Sequence, residues 1–121
     1  MDVIKTDSGY DIVGLDQTQT NFILLMLTKH NSRYGYHLNF LIDPLVVALL
    51  KYHEPFSGFE VKINDYVSFI DGEVRILRVS IAQFKAFREI LIPEITANLK
   101  VTDNEERKKR LEDIVVALDK F

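Results

Sequence analysis

Cysteine and tryptophan are both absent from this 121-residue chain. Without a thiol there is no disulfide framework, no thiolate nucleophile and no cysteine-bearing zinc or iron–sulfur centre, and a reducing compartment suits such a chain. Glycine (5) and proline (3) are scarce and scattered. No Gly-x-Gly-x-x-Gly or Gly-Lys-Ser/Thr run is present, so nothing in the sequence cradles a phosphate in the manner of a nucleotide-binding loop. None of Ser8, Ser32, Ser57, Ser68 and Ser80 sits in a nucleophile elbow. Long apolar runs are missing too. The longest, Phe22 to Leu27, falls far short of the roughly 18 residues that a membrane-spanning helix requires. The opening residues, Met1 to Gly9, carry two acids and a turn rather than a basic segment and an apolar stretch, so a cytoplasmic protein with no membrane partner is expected.

What is present suits one folded domain over 1–121. The 47% apolar and 27% charged content is that of an ordinary globular protein, and no repeat or linker divides the chain. The net charge of −3 is laid down in blocks: 1–16 and 43–74 are acidic, 75–88 is basic. Such a balance draws the whole molecule toward neither nucleic acid nor an anionic surface, yet permits faces of opposite sign.

The patterning predicts an α+β fold: a mostly antiparallel sheet, made of a hairpin and a meander, packed with about three helices, the last two at the C-terminus. Residues 3–13 read as a hairpin closed by Asp7-Ser8-Gly9, with a positive φ at Gly9 and Lys5 opposite Asp11, Ile4 opposite Ile12. The segment 22–28 suits either a buried strand or a helix, and strand is preferred; over 36–42 the alternation of Tyr36, Leu38, Phe40 and Ile42 predicts a second strand. Asp43-Pro44 opens a helix reaching His53. Phe59, Val61 and Ile63 form a strand, and a loop over 64–66 returns the chain in register with Val67 and Phe69. At Asp71-Gly72 a two-residue turn sets Phe69 against Val74, Ser68 against Arg75 and Val67 against Ile76. Ser80 with Gln83 caps a helix lined by Ile81, Phe84, Phe87 and Leu91, which Pro93 should kink or break. Thr102 with Glu105 caps the terminal helix, whose buried stripe is Leu111, Ile114, Val115 and Leu118.

Three function classes are compatible with these features. The leading one is a non-enzymatic protein-binding domain, and within it an immunity or antitoxin protein that neutralises a toxin, a basic nuclease being one candidate. Its acidic contact set would be Asp11, Asp16, Asp43, Glu54, Glu60, Asp65, Asp71 and Glu73. The second is nucleic-acid or other anion binding through Arg75, Arg78, Lys85 and Arg88, opposed by the overall acidity and by the lack of any RNA-binding sheet signature. The third is a small enzyme built on His30, His37 or His53 with carboxylates. No His-x-x-x-His pair supports it, and His53 beside Pro55 reads better as the end of a helix. Arg107 to Arg110 pairs at helical spacing with Glu105 and Glu106 and reads as a solvated ion-pair lattice. No metal, no cofactor and no catalytic residue is expected.

Overall fold

The computed structural model describes residues 1–30, 38–54 and 59–121. They form a five-stranded antiparallel sheet in the order β1-β2-β5-β4-β3 and four α-helices: β1 (Asp2–Lys5), β2 (Gly9–Leu15), α1 (Gln17–Lys29), α2 (Ile42–Lys51), β3 (Val61–Lys62), β4 (Val67–Ile70), β5 (Glu73–Ser80), α3 (Ile81–Leu99) and α4 (Glu105–Asp119). The α+β class and the C-terminal helix pair are as the pattern predicts. The helices lie on the sheet face that carries Val3, Ile12, Val67, Phe69, Val74 and Ile76: α4 over β1, α3 over β2 and β5, α1 over β5 and α2 over β4. Since α1 packs against each of the other helices, its buried Phe22, Ile23 and Leu27 stand in the middle of the core.

The Asp71-Gly72 hairpin has the register read from sequence, Phe69 opposite Val74, Ser68 opposite Arg75 and Val67 opposite Ile76. Both turn residues take positive φ (52° and 79°), the mirror-image turn whose twist matches that of the flanking strands. The 64–66 loop also holds. Val61 pairs with Phe69, and Asn64 Oδ1 accepts from the amides of Tyr66 (2.8 Å) and Val67 (2.7 Å).

The first hairpin differs by one residue. Val3 stands opposite Ile12, Ile4 opposite Asp11 and Lys5 opposite Tyr10, and the Thr6 amide donates to the Gly9 carbonyl at 2.8 Å. A one-residue slip exchanges the faces of a strand. This register buries Val3 and leaves Ile4 49% exposed, because Val3 is the β1 side chain that meets the core beside Ile12. Nor is Gly9 the glycine with positive φ; Gly14 is (71°), in the stretch where β2 bulges against β5.

Two expected strands are helical. Over 22–28 the chain is helical, in a helix opened by a capping box in which Asp16 accepts from the Gln19 amide at 2.8 Å and Gln19 Oε1 accepts from the Asp16 amide at 3.2 Å. Leu25 faces outward at 53% exposure, so the apolar run is not buried on every side. From 38 onward a 3-10 turn at Asn39–Leu41 leads directly into α2, and the buried residues Leu38, Leu41, Leu45 and Ala48 recur at intervals of 3 and 4, the helical period that the shorter alternation concealed. Tyr36 and His37 lie outside the described residues. Asp43 and Pro44 therefore fall inside the first turn of α2 rather than at its start, and the helix ends at Lys51.

The capping box at Ser80 and Gln83 forms, but Ile81 is 68% exposed and takes no place on the core face with Phe84, Phe87 and Leu91. α3 continues through Pro93, because Ile95 beyond it is fully buried and packing on both sides holds the axis where local preference would end it. Asn104, not Thr102, caps α4 by accepting from the Arg107 amide at 3.0 Å; the Thr102 hydroxyl donates back to Asn98 O at 2.7 Å. Leu111, Ile114 and Leu118 are buried as read, with Val115 half-buried beside them.

Candidate interaction surface

The outward side of α2 groups three exposed aliphatic side chains. Leu45 and Ala48 face the core, which turns Val46, Val47 and Leu50 outward at 46%, 41% and 62% exposure. The C-terminal end of α2 is pinned to the N-terminal end of α1: the Tyr52 hydroxyl donates to Leu15 O at 2.9 Å and stands 3.4 Å from the Thr20 hydroxyl, while its ring meets Phe69 edge-on at 4.9 Å. Burial, aided by the negative charges of Asp16 and Glu73, pushes the Tyr52 phenol up to about 12, so it stays a neutral donor at physiological pH.

Where the two helix ends meet, a hollow of about 420 Å³ opens, lined by Gln17, Thr18 and Asn21 from α1, Leu49, Leu50 and His53 from α2 and its end, and Arg107 from α4. A second hollow of about 320 Å³ adjoins it, sharing Thr18 and Arg107 and adding Asn104, Glu106 and Arg110. By spacing alone Arg107 belongs to an ion-pair lattice. In the fold that lattice consists of Arg110 with Glu106 (3.7 Å) and Asp16 (3.2 Å) and of Lys108 with Glu105 (3.8 Å), and Arg107 takes no part in it. No local sequence signal marks Arg107 apart from its neighbours; only the approach of α1 and α2 does.

The acidic set divides between the ends of the sheet. Because β4 and β5 run antiparallel, Asp71 and Glu73 stand at one end, joined by Asp16, which with Glu73 lies close enough to Tyr52 to bias its phenol. Asp65 stands at the other, where its carbonyl accepts from Arg78 at 3.1 Å. Asp11 is there too, accepting from the Arg78 amide at 3.0 Å and steadying that residue at φ 61°. Several of these acids are engaged within the chain: Asp16 with Arg110, Glu54 with Lys51 (3.3 Å) and Asp65 with Lys62 (3.4 Å). Asp43, Glu54 and Glu60 are exposed, the first two at either end of α2.

The basic set is dispersed as well. Arg75 lies on the sheet opposite Ser68, and Arg78 is held at the sheet end. Lys85 and Arg88 share a hollow of about 380 Å³ on α3 with Glu89, Ile92 and Pro93, and Arg88 also reaches Phe121 O (3.3 Å) and Asp119 (3.7 Å). Four cations in three places do not make the continuous track that a nucleic-acid backbone follows.

His30 caps the C-terminal end of α1, a helix about 20 Å long by its rise per residue, and His53 lies beside its N-terminal half. His37 lies outside the described residues. His30 Nε2 is 2.9 Å from Glu94 Oε1, which Lys29 also approaches at 3.2 Å, and these two contacts hold the Glu94 carboxyl below the usual glutamate range. A depressed carboxyl contributes stability that is fully present above the ordinary glutamate value and is lost as pH falls through the depressed one. Glu94→Gln should therefore be slightly less stable than the parent at pH 7 and indistinguishable from it near pH 2 in urea unfolding; a constant difference across that span would refute the assignment. No group of three metal-ligating His, Asp or Glu side chains occurs among the described residues. No described helix is long and apolar enough to cross a membrane.

No protein-family model, no curated protein and no solved structure matches this chain.

Proposed function

We propose that this chain is a non-enzymatic protein-binding domain that docks through the outer face of α2. The observation that carries this reading is the run of Val46, Val47 and Leu50 on one side of a helix whose other side is already committed to the core. Exposed aliphatic side chains grouped on a rigid element are the raw material of an interface centre, which apolar contact fills while a polar rim selects the partner. The rim here is acidic, with Asp43 and Glu54 at the two ends of α2 and Asp71 and Glu73 at the sheet end toward which its C-terminus points. A basic partner complements it, and the narrower proposal is that the chain acts as an immunity or antitoxin protein, occluding a basic toxin such as a nuclease.

The test is co-purification of the tagged chain from its native cell beside the Val46→Lys/Val47→Lys variant. A stoichiometric protein partner is expected with the parent and should be lost with the variant. Its thermal midpoint should hold, because lysine is a better helix former than valine and neither position is buried. The toxin proposal further requires that the parent chain, and not the variant, restores growth to cells expressing that partner. Absence of a stoichiometric partner, or one retained equally by the variant, overturns the docking face.

A further inference from the structure

We propose that the hollow between the N-terminal ends of α1 and α4 and the C-terminal end of α2 binds a small organic oxyanion, its phosphate or carboxylate on Arg107 and its apolar body on Leu49 and Leu50. Its lining combines polar side chains with Leu49 and Leu50, and its volume of about 420 Å³ lies inside the range of small-ligand sites. Gln17, Thr18, Asn21, His53 and Arg107 make no side-chain hydrogen bond or ion pair among the described residues. Such a gathering of unengaged donors in one concavity contrasts with Lys108 and Arg110 of α4, which each hold a carboxylate. Arg107 is thus a free planar fork, the geometry that grips an oxyanion through two parallel hydrogen bonds.

The backbone adds to it. The amides of Gln17 and Thr18, in the first turn of α1, have no acceptor within the helix, and that turn contains no acid. Asp16, the nearest carboxylate on α1, is already engaged by the Gln19 amide at 2.8 Å and by Arg110 at 3.2 Å, so its charge is compensated locally. Glu106 lines only the adjoining hollow, where Arg110 faces it at 3.7 Å. His53, from the end of α2, adds a second nitrogen-bearing side chain to the lining. Leu50 belongs to both surfaces, but Val46 and Val47 do not line the hollow, so the Val46→Lys/Val47→Lys variant tests the docking face without changing the hollow's lining.

The full chain is titrated with phenyl phosphate, followed by the backbone amide resonances, with inorganic phosphate and benzoate in parallel. Saturable shifts are expected at Gln17, Thr18 and Arg107, with a dissociation constant on the order of 1 mM or tighter. Phenyl phosphate should bind about fivefold or more tightly than inorganic phosphate if the leucines hold the ring, and the stronger of phenyl phosphate and benzoate identifies the preferred head group. Arg107→Ala should weaken binding about tenfold or more, as loss of a charged, bidentate contact implies, while Arg88→Ala, in the other hollow, should leave it unchanged. Arg107 is exposed, so its variant should keep the parent's midpoint. Shifts centred on Lys85 and Arg88, absence of saturation, or an Arg107→Ala variant that binds as the parent does would each overturn the site; equal affinity for inorganic and phenyl phosphate would overturn the apolar half of it.

Discussion

Gly9→Ala should lower the unfolding free energy by about 3 kcal/mol, a large fraction of the stability of a domain this size. A Cβ built on Gly9 lands on the Val79 carbonyl oxygen and approaches Ser80 Cα to 3.1 Å. Both are backbone atoms, so no rotamer change relieves the clash; β2 and β5 must separate. The damage would not stay local. Gly9 stands opposite Ser80, which caps α3, and the next residue, Tyr10, stacks on Phe84 of that helix at 4.0 Å and meets Phe121 at 5.2 Å. Opening the strands therefore loosens the helix start and the aromatic cluster over it. Gly14→Ala is the informative comparison. Its Cβ meets nothing nearer than 3.8 Å, and its cost, about 1–2 kcal/mol, would be that of placing a side chain at φ 71°. Urea unfolding of the two variants measures the difference. If Gly9→Ala lies within about 0.5 kcal/mol of the parent, the close approach of these strands is wrong.

The same glycine shows where sequence reading reaches its limit. That Gly9 is needed follows from its place beside a turn, but the reason is a contact with β5, some 70 residues away in sequence, and nothing local encodes it. The Asp71-Gly72 hairpin is legible because its determinants are adjacent: a turn that requires positive φ, and strands whose alternation fixes the register. The Ser80 capping box is legible for the same reason. The segments 22–28 and 38–42 mislead because each offers too few residues to separate a period of 2 from one of 3.6, and the deciding influence is the packing of α1 and α2 on each other and on the sheet. Pro93 misleads in the opposite sense, a local signal outweighed by the burial of Ile95.

For the candidate surfaces the divide is sharper. Exposure of Val46, Val47 and Leu50 depends on which side of α2 meets β4, and the hollow at Arg107 on three helix ends that converge only in the fold. The acidic residues, in contrast, are individually visible in the sequence, and what the fold adds is their division between two ends of the sheet, with Asp71 and Glu73 at one and Asp11 and Asp65 at the other.

Gln19→Glu tests the connection between α1 and α4 and carries a pH signature of its own. Gln19 lies in the first turn of α1 and is 1% exposed. In the fold its Nε2 also donates to Arg110 O at 3.1 Å and to Asp113 Oδ2 at 2.8 Å, while Oε1 accepts from the Asp16 amide. Glutamate preserves the shape and the Oε1 contact but turns both donations into oppositions, placing a buried carboxylate against a carbonyl and the Asp113 carboxylate; the Met1 ammonium, 2.8 Å from Asp113, offsets part of this. At pH 7 the expected loss is about 3 kcal/mol. Burial and the neighbouring carboxylate raise the introduced group's pKa in the folded state, so the penalty is fully present above that value. It should shrink as pH falls toward the unfolded glutamate value of about 4.3, where a protonated carboxyl can donate to Asp113. Gln19→Leu removes the same hydrogen bonds without adding charge, and its deficit, about 2 kcal/mol, should not follow that pH course. Two variants that track each other between pH 7 and pH 4.5 would mean that Asp113 does not face residue 19.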